Sequence, residues 1–324
     1  MSTVGIPRAL LYYRYVPMWR AFFQALGIEV VVSPPTTSQT LIQGAARVVP
    51  ETCLPAKVYC GHVLSLLGRV DCVFVPSIHC LRPGTRNCPT LIGLPDLVAN
   101  AIPDAPLLTV DVETERLWPS LAQLTLLLGK HWVANPLSVK RAVEQAWAAH
   151  EAYQLLLLQG MDPPQAIDAP RGASVPSQGY ELAPGSLTVA VVGHPYNLYD
   201  DYATHRLLAR LRALDVRVRT SDSVHPVSRW ACVEELGQEP YWTFEDEIVG
   251  AGGSLLRRNV DGLISVSTFG CAPDSVMLGV LPRVAHRDNK PYMPLVLDEH
   301  SGQAGLITRL EAFVDMLLRR KERI

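Results

Sequence analysis

The sequence predicts an α/β protein made of two lobes, each built on a parallel β-sheet. Three observations carry this reading. Short β-branched runs alternate with segments of helical period from the N-terminus to about residue 112, a pattern that calls for a sheet covered on both faces. A long helical pattern then leads into a stretch crowded with Pro, Gly, Ser and Ala, and after it the same alternation starts again. The expected divisions are 1–135 for the first lobe, 136–185 for the helix and linker, and 186–324 for the second lobe.

In order, "STVGIP" reads as a strand and "LYYRYVPMWRAFFQALG" as a helix stopping at Gly27, where glycine readily takes the positive φ of a helix end. "IEVVVSP" is the next strand, its β-branched run suited to burial on both faces. "AKVYCGHVLSLLG" has helical spacing and "VDCVFVPSI" is a short apolar strand. "PDLVANAI" is a helix opened by Pro95 and Asp96, and "APLLTVDV" closes the series as a strand. Residues 136–158 form the long helix, and 159–186 read as a linker or mobile loop. The second lobe repeats the scheme from "LTVAVVGHPYNLYDD" through "VDGLISVSTFGCAPDS" and "KPYMPLVLDEHSGQAG". An amphipathic helix ends the chain, with basic residues in its last turns where the helix dipole favours them.

A formal net charge of −2 supplies no electrostatic basis for a nucleic-acid or anionic-membrane partner. The N-terminal stretch lacks a secretory pattern, and no apolar run approaches the roughly 20 residues that span a bilayer, so the expected location is the cytoplasm. There the seven cysteines would not form a disulfide framework, leaving metal binding, catalysis or core packing. Five of them fall between Cys53 and Cys88, a clustering that random core use seldom produces.

Ligands of open parallel sheets bind beyond the carboxyl ends of the strands, and the unusual loops lie there. They carry Arg8, then His194, Tyr196 and Asn197, then Cys271, then Asp298, Glu299 and His300. Cys271 precedes Pro273, Asp274 and Ser275, a run typical of a first helical turn, where unpaired N–H groups stabilise a thiolate. Cys53 in "ETCLPAK" and Cys88 in "RNCPTLIGLPD" stand in the same relation to a proline and a helix start. Three such cysteines resemble iron–sulfur ligation and point to a site in the cleft between the lobes. No compact C-x-x-C pair is present, so a cluster would have to be assembled from distant loops. Cys72 and Cys232 read as core, while Cys60 and Cys80 stand open between core or loop roles and a place near the cluster. Lys57 and Arg8 would offset an anionic cluster or neutralise nearby carboxylates. Asp298, Glu299 and His300 lack the H-E-x-x-H spacing of a zinc site.

Taken together, "ETCLPAK", "CPTLIGLPD", "FGCAPDS" and "LDEHSGQAGLITRLEAF" resemble the acyl-CoA dehydratase-associated family of unknown function, related to the 2-hydroxyacyl-CoA dehydratase and benzoyl-CoA reductase subunits. The resemblance implies flavodoxin-like (Rossmann-like) lobes around a central cleft. It implies a [4Fe-4S] cluster held by Cys53, Cys88 and Cys271, with one iron open to substrate; a double-cubane or other larger cluster is the variant. Glu299 and His300 would serve as proton donors or hydrogen-bond partners near the cluster. The implied partner is an ATP-hydrolysing iron–sulfur activator, and the implied substrate an acyl-CoA or other small molecule. The sequence has no G-x-x-x-x-G-K-[ST] loop, and the resemblance therefore implies that the chain would be the electron-accepting, reductase-like component. The alternatives are a non-catalytic docking or scaffold subunit for the activator, and a cysteine-nucleophile transferase.

Overall fold

Two four-stranded parallel sheets, each flanked by helices, organise the chain in the computed structural model, which describes residues 2–82, 84–112, 128, 132, 135–170, 172–173, 186–237 and 241–323. The chain divides into two units. Unit 1 is Met1–Leu155 with Tyr241–Thr243, and unit 2 is Leu156–Pro240 with Phe244–Ile324.

Unit 1 begins with β1 (Thr3–Ile6), α1 (Tyr12–Ala25), β2 (Glu29–Val32), α2 (Ser38–Ala45), α3 (Leu54–Leu66) and β3 (Cys72–Ile78). It continues through α4 (Pro89–Ile92), α5 (Leu94–Ala101), β4 (Leu107–Val112) and α6 (Pro136–Leu158), the last of which runs on past the boundary between the units. The sheet order is β2-β1-β3-β4. β3 is buried along its whole length, as its apolar run predicts for a central parallel strand. β2 is not: it pairs only with β1 and is half-exposed, so its β-branched residues serve an edge rather than a doubly covered strand. α1 buries Trp19, Phe22 and Phe23, and the rings of Trp19 and Phe23 each meet Phe74 of β3 at 5.3 Å between centroids. These edge-to-face contacts anchor the helix to the sheet.

α2 and α3 approach each other closely. A Cβ on Gly44 would lie 1.9 Å from the Lys57 carbonyl oxygen, and one on Gly61 would lie 1.9 Å from that of Thr40. Only glycine allows this contact, which sets the path of the helix carrying Cys53 at its start.

Unit 2 contains α7 (Pro163–Asp168), β5 (Thr188–Gly193), α8 (Pro195–Leu198), α9 (Leu207–Ala213), β6 (Arg217–Thr220), α10 (Pro226–Glu235) and α11 (Thr243–Leu256), the last of which has its first residue in unit 1. β7 (Gly262–Thr268), α12 (Ala272–Met277), α13 (Leu281–Arg287), β8 (Tyr292–Leu297) and α14 (Gln303–Lys321) follow. Its sheet order, β6-β5-β7-β8, repeats that of unit 1 strand for strand. α7 interrupts the stretch expected to be linker, because Pro163 and Pro164 open a helical turn that buries Pro163, Ala166 and Ile167. Residues 171 and 174–185 of that stretch lie outside the described residues. α14 buries Leu306, Leu310, Phe313, Val314 and Leu317, the one-sided stripe its sequence period requires.

No helix among the described residues is long and apolar enough to cross a membrane.

Candidate functional site

In each sheet the chain leaves the first strand toward one edge and later returns to its other side, which creates a switch point. It lies between β1 and β3 in unit 1 and between β5 and β7 in unit 2.

Unit 2 places a buried polar triad at its switch point. His194 leaves β5 as the N-cap of α8, held in extended backbone ahead of Pro195. Asp274 lies in the first turn of α12, after β7, and Glu245 in the first turn of α11. The His194 Nε2 atom is 3.1 Å from Asp274 Oδ1 and 3.6 Å from Glu245 Oε1, and all three side chains are buried. The Tyr196 ring stacks on the imidazole at 4.8 Å, with 8° between the planes, which fixes the plane of the imidazole. Burial alone would push the His194 pKa down; the Asp274 and Glu245 carboxylates outweigh it and raise the value to about 10. These groups meet by charge and proximity, without an aligned hydrogen bond at His194 Nε2.

Both Asp274 oxygens, Glu245 Oε2, Asn197 Nδ2 and Thr268 Oγ1 are likewise buried without a hydrogen-bond partner. So many unsatisfied atoms at the carboxyl ends of two adjacent strands are costly in a folded protein and typical of functional positions. Sequence reasoning singled out His194 but read Asp274 only as a helix-start residue, and it passed over Glu245. An acidic residue in a first turn is ordinarily an exposed helix stabiliser, and only the fold shows that these two point inward.

The sequence-predicted cysteines share one local structure. Cys53, Cys88 and Cys271 are the N-caps of α3, α4 and α12, each in extended backbone, each with proline in the first turn that follows. All three are half-buried. Cys88 and Cys271 also occupy equivalent places in the two units, each capping the first helix after the third strand in sequence. His62, on the helix that Cys53 caps, touches Ser33 and Thr36 just beyond β2. None of the three sulfurs makes a side-chain capping hydrogen bond to its own helix. The backbone carbonyl of each cysteine instead accepts the first bonds of the helix.

The other cysteines differ. Cys60 and Cys72 are buried, and desolvation pushes each thiol up to about 11. Cys232 is buried on α10, its thiol also raised by burial. Cys80 donates from Sγ to the Arg82 carbonyl at 2.9 Å.

Lys57 is buried one turn beyond Cys53, its Nζ donating to the Pro50 carbonyl at 2.7 Å. The Arg8 guanidinium lies over the Tyr12 ring at 5.5 Å, and its backbone N–H donates to Ser33 Oγ. Glu299 is half-buried and His300 exposed in the turn after β8. Asp298 frames that turn by accepting from the His300 N–H at 2.9 Å and from Ser301 Oγ at 2.8 Å, and the Ser301 bond in particular lowers the Asp298 pKa.

No curated protein matches the chain. The model of a protein family, the CoA enzyme activase uncharacterised domain (DUF2229), matches residues 3–224. That span contains Cys53, Cys88 and His194, while Glu245, Cys271, Asp274, Glu299 and His300 lie beyond it. Because the match covers more than half of the 324 residues, and the fold across it is the one its sequence predicts, the chain belongs to the CoA enzyme activase uncharacterised domain family.

Proposed function

We propose that the protein is an iron–sulfur, electron-accepting component of a CoA enzyme activase system, related to the 2-hydroxyacyl-CoA dehydratases, with Cys53, Cys88 and Cys271 holding a [4Fe-4S] cluster. The observation that carries this reading is the equivalence of Cys88 and Cys271 in two units of identical strand order, joined by the same N-cap conformation at Cys53. The donor set fits the group, because iron–sulfur clusters take thiolates and the three half-buried cysteines contrast with Cys60 and Cys72, whose burial favours the neutral thiol. When bound, such a cluster supplies single low-potential electrons, and with three protein thiolates one iron keeps a position for a substrate oxygen.

The rest of the proposal concerns the chain's own groups. Lys57, buried one turn after Cys53, offsets negative charge near that sulfur. Glu299 and His300, presented by the Asp298–Ser301 turn, exchange protons with substrate. The electrons come from an ATP-hydrolysing iron–sulfur activator, and the substrate is an acyl-CoA or a similarly activated small molecule.

The test is anaerobic purification and reconstitution followed by iron and sulfide analysis and electron paramagnetic resonance. Wild type should be brown, with iron and sulfide in cluster ratio, and Cys53→Ala, Cys88→Ala and Cys271→Ala should each lose most of the signal. Activator with ATP should change the cluster signal. A colourless, iron-free wild type sinks the proposal, and activator binding without any ATP-dependent change assigns the chain to docking instead.

A further inference from the structure

We propose that His194, Glu245 and Asp274 of unit 2 bind a divalent transition-metal cation through one imidazole nitrogen and two carboxylate oxygens. One ligand atom from each residue lies within 4.8 Å of the other two. Bonds of about 2.0–2.2 Å to a common ion place neighbouring ligand atoms about 3.3–3.6 Å apart in a tetrahedral shell and about 3 Å apart in an octahedral one. The separations of 3.1 and 3.6 Å at His194 Nε2 fall at these values. A mixed nitrogen and oxygen set of this kind suits Zn²⁺, Mn²⁺ or Fe²⁺ over softer ions.

A second observation points the same way. Asp274 Oδ2 and Glu245 Oε2 are buried with neither a hydrogen-bond donor nor an ion pair, while the other oxygen of each faces His194, and buried carboxylates are costly unless fully satisfied or bound to metal. A dication that takes the place of the His194 proton, which passes to solvent on binding, neutralises the two carboxylates and satisfies their inward-facing oxygens together. Because all three side chains are buried, the ion would be an internal tie. It would join the exit of β5 to the first turns of α11 and α12, and Cys271 is the N-cap of α12. This site does not depend on the iron–sulfur reading, since none of its ligands is a cysteine.

The experiment uses the full chain, stripped with chelator and then dialysed against Mn²⁺, which thiolates bind weakly. To allow for slow entry into a buried site, a second sample is refolded in the presence of the ion. The expected result is one Mn²⁺ per chain, displaced by Zn²⁺, with Tm raised by about 4 °C at a hundredfold excess over Kd. Glu245→Gln and Asp274→Asn should each weaken binding at least tenfold, whereas a chain with Cys53, Cys88 and Cys271 all replaced by Ala should keep it. Absence of binding and of any Tm rise in wild type overturns the proposal, as does binding that survives the double Glu245→Gln, Asp274→Asn variant or disappears in the cysteine variant. If the carboxamide variants do not fold, the wild-type thermal shift and the cysteine variant still decide the matter.

Discussion

His194 Nε2 and Asp274 Oδ1 lie 3.1 Å apart, both buried, although 80 residues of chain separate them. One ends β5 and the other opens the helix after β7, so the pair exists only because those strands are neighbours in the sheet. Asp274→Ala would leave a buried imidazolium facing only Glu245, and breaking a buried pair in this way costs about 3–5 kcal/mol. Urea denaturation of chelator-treated protein should show that loss, and a double-mutant cycle with His194→Ala should return a coupling of about 0.5–3 kcal/mol.

The same pair sets a pH dependence at the alkaline end. His194 is raised from 6.5 to about 10 in the folded chain, so its contribution is complete below pH 6.5 and is lost as pH rises through about 10. Metal-free protein should lose stability over that window, and the His194→Ala variant should show a flatter profile.

His62 predicts the opposite sign on the acid side. Its ring nitrogens lie 2.9 Å from Ser33 Oγ and 2.9 Å from Thr36 Oγ1, which suits a neutral ring with one donor and one acceptor nitrogen. Burial, helped by the Arg8 charge, lowers its pKa from 6.5 to about 4. The unfolded chain therefore takes up a proton that the folded chain refuses, and stability present above pH 6.5 falls between pH 6.5 and pH 4. The expected loss is roughly 3 kcal/mol. Unfolding free energies measured across that range should lose most of this slope in His62→Gln.

Gly44→Ala and Gly61→Ala test the approach of α2 to α3. Each new methyl would collide with a backbone carbonyl, so the helices must separate, at about 1–3 kcal/mol or more. Both variants should lower Tm, and both should disturb any ligand held by Cys53, which caps α3.

Thiol labelling separates the two classes of cysteine. Cys60, Cys72 and Cys232 are buried, with thiols raised by desolvation, and should resist alkylation at pH 8 until the chain unfolds. Rapid labelling of Cys60 in the native state would contradict its place in the core of unit 1.

The sequence by itself determined the α/β class, every strand among the described residues, and the positions of Cys53, Cys88 and Cys271 at helix starts. Those features are written locally, in apolar period, β-branching and proline placement. It misjudged β2 because an edge strand and a central one can carry the same β-branched run, and only pairing partners tell them apart. It placed a linker where α7 forms, since two prolines serve a helix's first turn as well as a loop. The tertiary structure alone decided that Glu245 and Asp274 turn inward to His194, because the meeting of an imidazole with two carboxylates depends on which strands lie side by side. Strand neighbours are set by burial across the whole sheet, and no residue near those three encodes them.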